Sequence, residues 1–138
     1  GLNMLSNMRL CSNVLAQQVV QTSLGGYQSV DELLLPGGRI YEQRNFIYKA
    51  INDIPGLSAV KPKAGLYIFP KIDREMYRVD DDEQFVLNFL KQEKVLLVHG
   101  RGFNWKEPDH FRIVYLPRVE ELAQIQEKMT RFLKQYKR

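Results

Sequence analysis

"DHFRIVYLPRVEEL", residues 109–122, decides how the chain is read. From His110 to Leu116 it is apolar and rich in β-branched and aromatic side chains, the composition of a strand. Strand alternation sets Phe111 and Ile113 on one face and Arg112 and Val114 on the other. Pro117 then reads as the first position of a helix, where a missing amide costs nothing. Val119, Leu122, Ile125, Met129, Phe132 and Leu133 follow at helical spacing. A guanidinium in the middle of such a strand stays charged at working pH, so it needs a partner or water. From these residues alone Arg112 has three readings: the exposed side of an edge strand, a structural ion pair, or a grip for an external anion.

Upstream, "KVLLVH" at 94–99 is apolar enough for a central strand, and a glycine-containing loop separates it from the Arg112 strand. "DDDEQFVLNFLKQE" at 80–93 reads as a helix capped by Asp80 or Asp81, with Asp80 and Glu83 at capping-box spacing. Phe85, Val86, Phe89 and Leu90 form its inner face. "LSAVKP" and "AGLYIFPKI" read as an antiparallel hairpin about Pro62. Before them come a helix over 38–53, a short one over 29–35, and one over 14–24 capped by Asn13 and stopped by Gly25-Gly26. Residues 1–8 read as the tail of an earlier helix. Helices first, then strand, strand, helix, strand, strand, helix, is an α+β order. It predicts a small, mainly antiparallel sheet of about four strands covered by helices.

At 138 residues and 44% hydrophobic, the chain suits one globular core. No apolar run is long enough to span a bilayer, which takes roughly 20 residues. The net charge of +4 gathers in "RFLKQYKR" at the C-terminus, where cations suit a helix dipole. It lacks the aromatic interleaving of a nucleic-acid surface, so neither a membrane nor a nucleic-acid partner is expected. The lone Cys11 is expected to be a structural thiol in a reducing, cytoplasmic setting.

Few residues offer chemistry of their own. "PGGRI" and "HGRGF" lack the spacing of a phosphate loop. His99 and His110 have no ligand set around them for a metal. The acidic run 80–83 lacks calcium-loop spacing and is a helix start. No nucleophile elbow appears.

Four stretches make the chain familiar: "MRLCSNVLAQQVVQTSLGGYQS" at 8–29, "KPKAGLYIFPKID" at 61–73, "QEKVLLVHGRGFNW" at 92–105 and "PDHFRIVYLP" at 108–117. They resemble the C-terminal small domain of class I/II (fold type I) pyridoxal-phosphate-dependent aminotransferases, within which the bacterial glutamate–pyruvate, or alanine, subgroup is most similar. The resemblance implies that residues 1–24 are the end of a large domain and an entry helix, and that 25–138 are the small domain. It implies that Arg112, in the F-R-I strand, grips the substrate α-carboxylate, a task its planar fork suits. Asn13 is implied near the dimer interface and the neighbouring active site, and Tyr67, on the "GLYIF" strand, either at the substrate cleft or in core or interface packing. Gly100 and Gly102 are expected to shape the loop leading to Arg112.

The family's Schiff-base lysine and its cofactor ligands belong to the large domain. None of the lysines here sits in the S-x-S-K-type context, so no cofactor-binding or catalytic residue is expected in this chain, and alone it should be inactive. The implied whole is a cytoplasmic homodimer that uses pyridoxal 5'-phosphate and exchanges an amino group between alanine and 2-oxoglutarate. Its partners are amino-acid and 2-oxo-acid substrates and its own large domain. An aromatic or kynurenine aminotransferase, a β-lyase, or a stand-alone binding module are the alternatives.

Overall fold

The computed structural model describes residues 1–8 and 13–138; Cys11 and the reading of its thiol lie outside them. The described chain divides into two compact units, Gly1–Glu32 and Leu33–Arg138. The first holds α1 (Leu2–Met8) and α2 (Val14–Gly25). The Asn13 side-chain oxygen accepts the Ala16 amide at 3.1 Å and so caps α2. The Gly26 amide returns to the Thr22 carbonyl at 2.8 Å, ending the helix where the paired glycines predict. Val14, Leu15, Val19 and Val20, the expected apolar side of α2, are exposed. A single turn, α3 (Asp31–Leu34), replaces the expected helix over 29–35.

The second unit carries the sheet. Its strands are β1 (Leu57–Ser58), β2 (Tyr67–Ile68), β3 (Lys71–Ile72), β4 (Val98–His99) and β5 (Phe111–Val114). All pairings are antiparallel: β1 with β3, and β2–β5–β4 with β5 in the centre. The two ladders are one surface. Tyr67 faces Val114, Ile68 faces Ile113, and a bridge sets Lys71 against His110 in the same register. The Tyr115 amide bonds to Leu66, Phe111 to Pro70 and Ile72 to Asp109, at 3.1, 3.2 and 2.7 Å. Residues 66–72 are therefore one extended segment beside β5. Pro70 interrupts it because it has no amide to return to Phe111. The expected antiparallel pairing of the two stretches holds at their outer ends: β1 pairs with the far end of this segment, beyond Pro70, while the near end pairs with β5 instead.

Phe111, Ile113 and Tyr115 send their side chains into the core, together with Ile68 and Ile72. Helices α4 (Arg39–Asn52), α5 (Asp82–Glu93) and α6 (Val119–Leu133) cover that side. Ile47 and Ile51 of α4 and Leu122, Met129, Phe132 and Leu133 of α6 are buried, as their helical spacing predicts. Phe132 meets Phe85 at 5.3 Å and Phe89 at 5.0 Å, and Phe85 meets Phe111 of the sheet at 5.8 Å, all between ring centroids. These tilted and edge-on rings join two helices to the central strand.

Two boundaries differ from the sequence reading, and at a third the structure selects one of the two caps that reading offered. The strand expected at 94–99 is Val98–His99 alone. Lys94 takes a left-handed conformation (φ 58°) that ends α5, and Leu97 is apolar because it is buried, not because it is in the ladder. Asp81, rather than Asp80, caps α5, accepting the amides of Glu83 and Gln84 at 2.9 and 3.2 Å. Pro117 lies just before α6: Arg118 is the cap residue, and its amide donates to the Glu121 carboxylate at 2.9 Å. Among the described residues no helix is long and apolar enough to cross a membrane.

Candidate functional site

Arg112 sits on the central strand, opposite Val98 on β4, with its side chain on the face turned away from the helices. Edge-strand exposure is thus excluded for it. Its guanidinium carbon lies 4.4 Å from the centre of the Tyr67 ring and 4.5 Å from that of Phe103. Both contacts are cation–π distances. Among the described residues no carboxylate pairs with it, and its buried Nε has no hydrogen-bond partner. Tyr67 and Phe103 remain 49% and 45% exposed, so the face is open to whatever approaches it. The result, among the described residues, is a cation held by rings with no ion pair.

Tyr67 reaches this place by register, since it faces Val114, two residues beyond Arg112 on the same side. Phe103 reaches it by a turn. After β4 the chain winds through a 3-10 turn, Gly100–Phe103, and Asn104 then adopts a left-handed conformation (φ 59°). Gly100 and Gly102 are needed here for close approach. A Cβ on Gly100 would stand 2.7 Å from the His110 carbonyl oxygen, and one on Gly102 would stand 2.9 Å from His99 Nε2.

The turn is tied to α5. The Arg101 amide donates to Asp82 Oδ2 at 2.8 Å, its Nε to Asp82 Oδ1, and its Nη2 to Asp81 Oδ1 at 2.6 Å. Asp82 is fully buried. Burial pushes its carboxyl up, but the bonds from Arg101, with His99 nearby, outweigh that and hold it below the ordinary carboxylate range.

Beside Arg112 on the same face lies a second cluster. Trp105 Nε1 donates to Asp109 Oδ1 at 2.9 Å, and His110 Nδ1 lies 2.7 Å from the same oxygen. Phe69 stacks on the His110 ring at 4.9 Å. Burial raises the Asp109 carboxyl; His110, Trp105 and Lys71 lower it by more, so it too lies below its ordinary value. A cavity of ≈ 450 Å³ abuts this wall, lined among others by Lys61, Tyr67, Phe69, Trp105 and His110. A larger one, ≈ 570 Å³, lies at the β1–β3 end, among Lys71, Arg74, Glu75 and Asp109, away from Arg112.

Of the three residues singled out from sequence, the structure brings Arg112 and Tyr67 together. Asn13 belongs to the first unit, where it caps α2. Phe103, Trp105, Asp82 and Asp109 were not singled out. The signal for the first two is "GFNW" at 102–105, two aromatics in a glycine loop just ahead of the F-R-I strand.

No protein-family model matches the chain. Curated relatives do. The chain is 59% identical over 136 residues to the glutamate-pyruvate aminotransferase AlaA of Escherichia coli, covering 99% of this chain and 34% of that protein. It is 51% identical over 137 residues to the alanine aminotransferase of Mycobacterium tuberculosis, again 99% of this chain and 32% of that one. Among solved structures, an Escherichia coli aminotransferase superposes with a TM-score of 0.84 at 58% identity, over 98% of this chain and 33% of the other. The alanine aminotransferase of Pyrococcus furiosus superposes at 0.74 with 39% identity, over 96% and 33%. The chain thus spans about a third of the length of the curated relatives it matches. With such identity along nearly its whole length, and a sheet-and-helix layer of the C-terminal small-domain type, the chain is similar to about a third of each of these aminotransferases.

Proposed function

We propose that this chain forms one wall of the active site of a pyridoxal-phosphate-dependent transaminase, which passes an amino group between alanine and 2-oxoglutarate. The observation that carries the reading is Arg112: a central-strand guanidinium, clasped by two rings, with no carboxylate partner among the described residues. A cation so placed suits a ligand that arrives with its own carboxylate. Two parallel charge-assisted bonds from the fork would fix both the position and the plane of that group.

The chain's own contribution is binding and orientation. Arg112 takes the α-carboxylate common to every amino-acid and 2-oxo-acid substrate, which aims the Cα–H bond of the rest of the molecule. Tyr67 and Phe103 hold the plane of the fork, and the Trp105–His110 wall shields one side of the site from water. The cofactor, when bound, supplies the electron sink. The residues on this face do not fit its attachment. Lys71, the lysine beside the Asp109 cluster, has a side chain 58% exposed and lies 3.9 Å from the Asp109 carboxylate. A Schiff-base lysine needs desolvation or a neighbouring cation instead. Attachment is assigned to the part of the enzyme outside this chain, and the chain alone to no activity.

The finer assignments belong to the same proposal: a cytoplasmic homodimer, residues 1–24 as the junction with the large domain, and Asn13 near the neighbouring site. The test is Arg112→Lys in the full-length enzyme. Charge is kept and the fork is lost. A hydrogen bond to a charged group contributes about 1.5–3 kcal/mol, so kcat/KM for alanine and for 2-oxoglutarate should both fall by at least about tenfold. Unchanged kinetics for either substrate refute the reading.

A further inference from the structure

The Gly100–Phe103 turn does one thing at the site: it lays Phe103 against the Arg112 guanidinium, 4.5 Å from ring centre to carbon. The turn does not hold itself there. At its start the Gly100 amide donates to the His110 carbonyl at 2.8 Å, and at its end Phe103 meets Phe69 edge-on at 6.3 Å; the side-chain tie to the helix layer is Arg101, whose amide, Nε and Nη2 all bond to the first residues of α5, Asp81 and Asp82. Asp81 caps the helix with the same Oδ1 that receives Arg101. Asp82 caps nothing. It lies at the first helical position, 0% exposed, and its two oxygens are both spent on Arg101. A buried ion pair contributes little net stability for the desolvation it demands, but it fixes the groups it joins. What this pair fixes is the turn two residues ahead of Phe103.

We propose that the Asp82–Arg101 pair is a positioning device for the carboxylate site: it anchors the turn that seats Phe103 on Arg112, and so sets the plane in which the Arg112 fork meets its ligand. Asp82, Arg101 and Phe103 are positioning residues; none needs to touch substrate. The inference rests on the proposed carboxylate-binding role of Arg112, although its structural half, the link from Asp82 to the Arg112 ring clasp, stands apart from that role.

Two measurements separate the halves. In the full-length protein, labelled with ¹⁵N-arginine, the Arg112 Nε–Hε resonance should be displaced by the two rings beside it; Arg112→Lys assigns it by its loss. Arg101→Ala should move it in the same direction as Phe103→Leu. Arg101→Ala leaves little void but takes the counter-charge from the buried Asp82 carboxylate, so circular dichroism checks that the variant folds, and Arg101→Lys, which keeps the charge, provides a milder second variant. In the full-length enzyme, Arg101→Ala should lower kcat/KM for the amino acid and the oxo acid alike, by about three- to tenfold, because a small displacement of a substrate-positioning group costs rate steeply. Arg101→Lys should recover part of the loss. Arg101→Ala combined with Phe103→Leu should lose no more than the worse single variant, since both act through one contact.

A folded Arg101→Ala protein whose Arg112 resonance and kinetics both match the wild type overturns the proposal. So do fully additive losses in the double variant, which would mean that Arg101 acts through overall stability. If Arg112→Lys leaves turnover unchanged while Arg101→Ala still moves the resonance, the carboxylate reading fails and the anchoring link is upheld.

Discussion

Replacing Tyr67 tests how the site holds its cation. The Tyr67 ring centre lies 4.4 Å from the Arg112 guanidinium carbon, and the ring is 49% exposed. At exposed sites such a contact is worth about 0.5–1 kcal/mol. Tyr67→Leu keeps a side chain of fair size on the strand and removes the π-face. If the ring only orients the fork, kcat/KM in the full-length enzyme should fall by about two- to fivefold, the factor equivalent to that energy. That is clearly smaller than the loss expected for Arg112→Lys, because the ring steadies the cation while the fork itself makes the charged bonds. The hydroxyl plays no part in the contact, so Tyr67→Phe should stay within about twofold of wild type. Steady-state assays with alanine and with 2-oxoglutarate, each varied at saturating partner, read both variants. The reasoning is refuted if Tyr67→Phe loses as much as Tyr67→Leu, for the hydroxyl would then be the working group. It is refuted equally if Tyr67→Leu costs as much as Arg112→Lys.

Two further predictions concern the scaffold. Asp82 and Asp109 both have carboxyls held below their ordinary range in the folded chain. A depressed folded value means that the stability they add is present above the unfolded carboxyl pKa, about 3.9, and is lost as pH falls through the lower folded values. Urea midpoints measured downward from pH 5 should therefore drop steeply in wild type and less steeply in Asp109→Asn; parallel curves would show that Asp109 is not linked to folding. Phe132 is fully buried where α5, α6 and the sheet meet, so Phe132→Ala should cost about 3–5 kcal/mol, and a urea-derived loss below about 1 kcal/mol would contradict the packing described for it.

Much of the fold was legible because it rests on periodicity. The stripes of α4 and α6 and the alternation of Phe111, Arg112 and Ile113 are local signals, and the buried faces follow them. What stayed hidden depends on partners distant in the chain. Three adjacent aspartates at 80–82 look alike in sequence. In the structure Asp80 pairs with Arg78, Asp81 caps a helix, and Asp82 is buried on Arg101, nineteen residues away. Gln43, polar in an otherwise apolar stripe, is buried because its amide donates to the carbonyls of Leu116 and Pro117 at 2.9 and 2.6 Å. The apolar run at 94–99 looked like a strand because burial of Leu97 and pairing of Val98 leave the same mark on a sequence. At the site, the proposed role of Arg112 is read from its neighbours in the F-R-I strand. Phe103 was not legible, since nothing local says that a loop ring will fold back onto a strand cation.

The contrast between Arg101 and Arg112 supports the second of these arginines as the proposed binding group. They are eleven positions apart, and Phe103 links them in space. Arg101 is bound to two aspartates, one of them fully buried. Its charge is spent inside the molecule, and an external carboxylate approaching it would have to displace a partner already in place. Arg112 is held instead by two aromatic faces. A ring quadrupole steadies a cation without occupying the N–H edges that make a fork. A carboxylate in the same place would have steadied it more strongly, and would also have competed with any incoming carboxylate for those edges. A guanidinium held by ring faces, with no ion pair among the described residues, is what the proposed carboxylate role asks of Arg112.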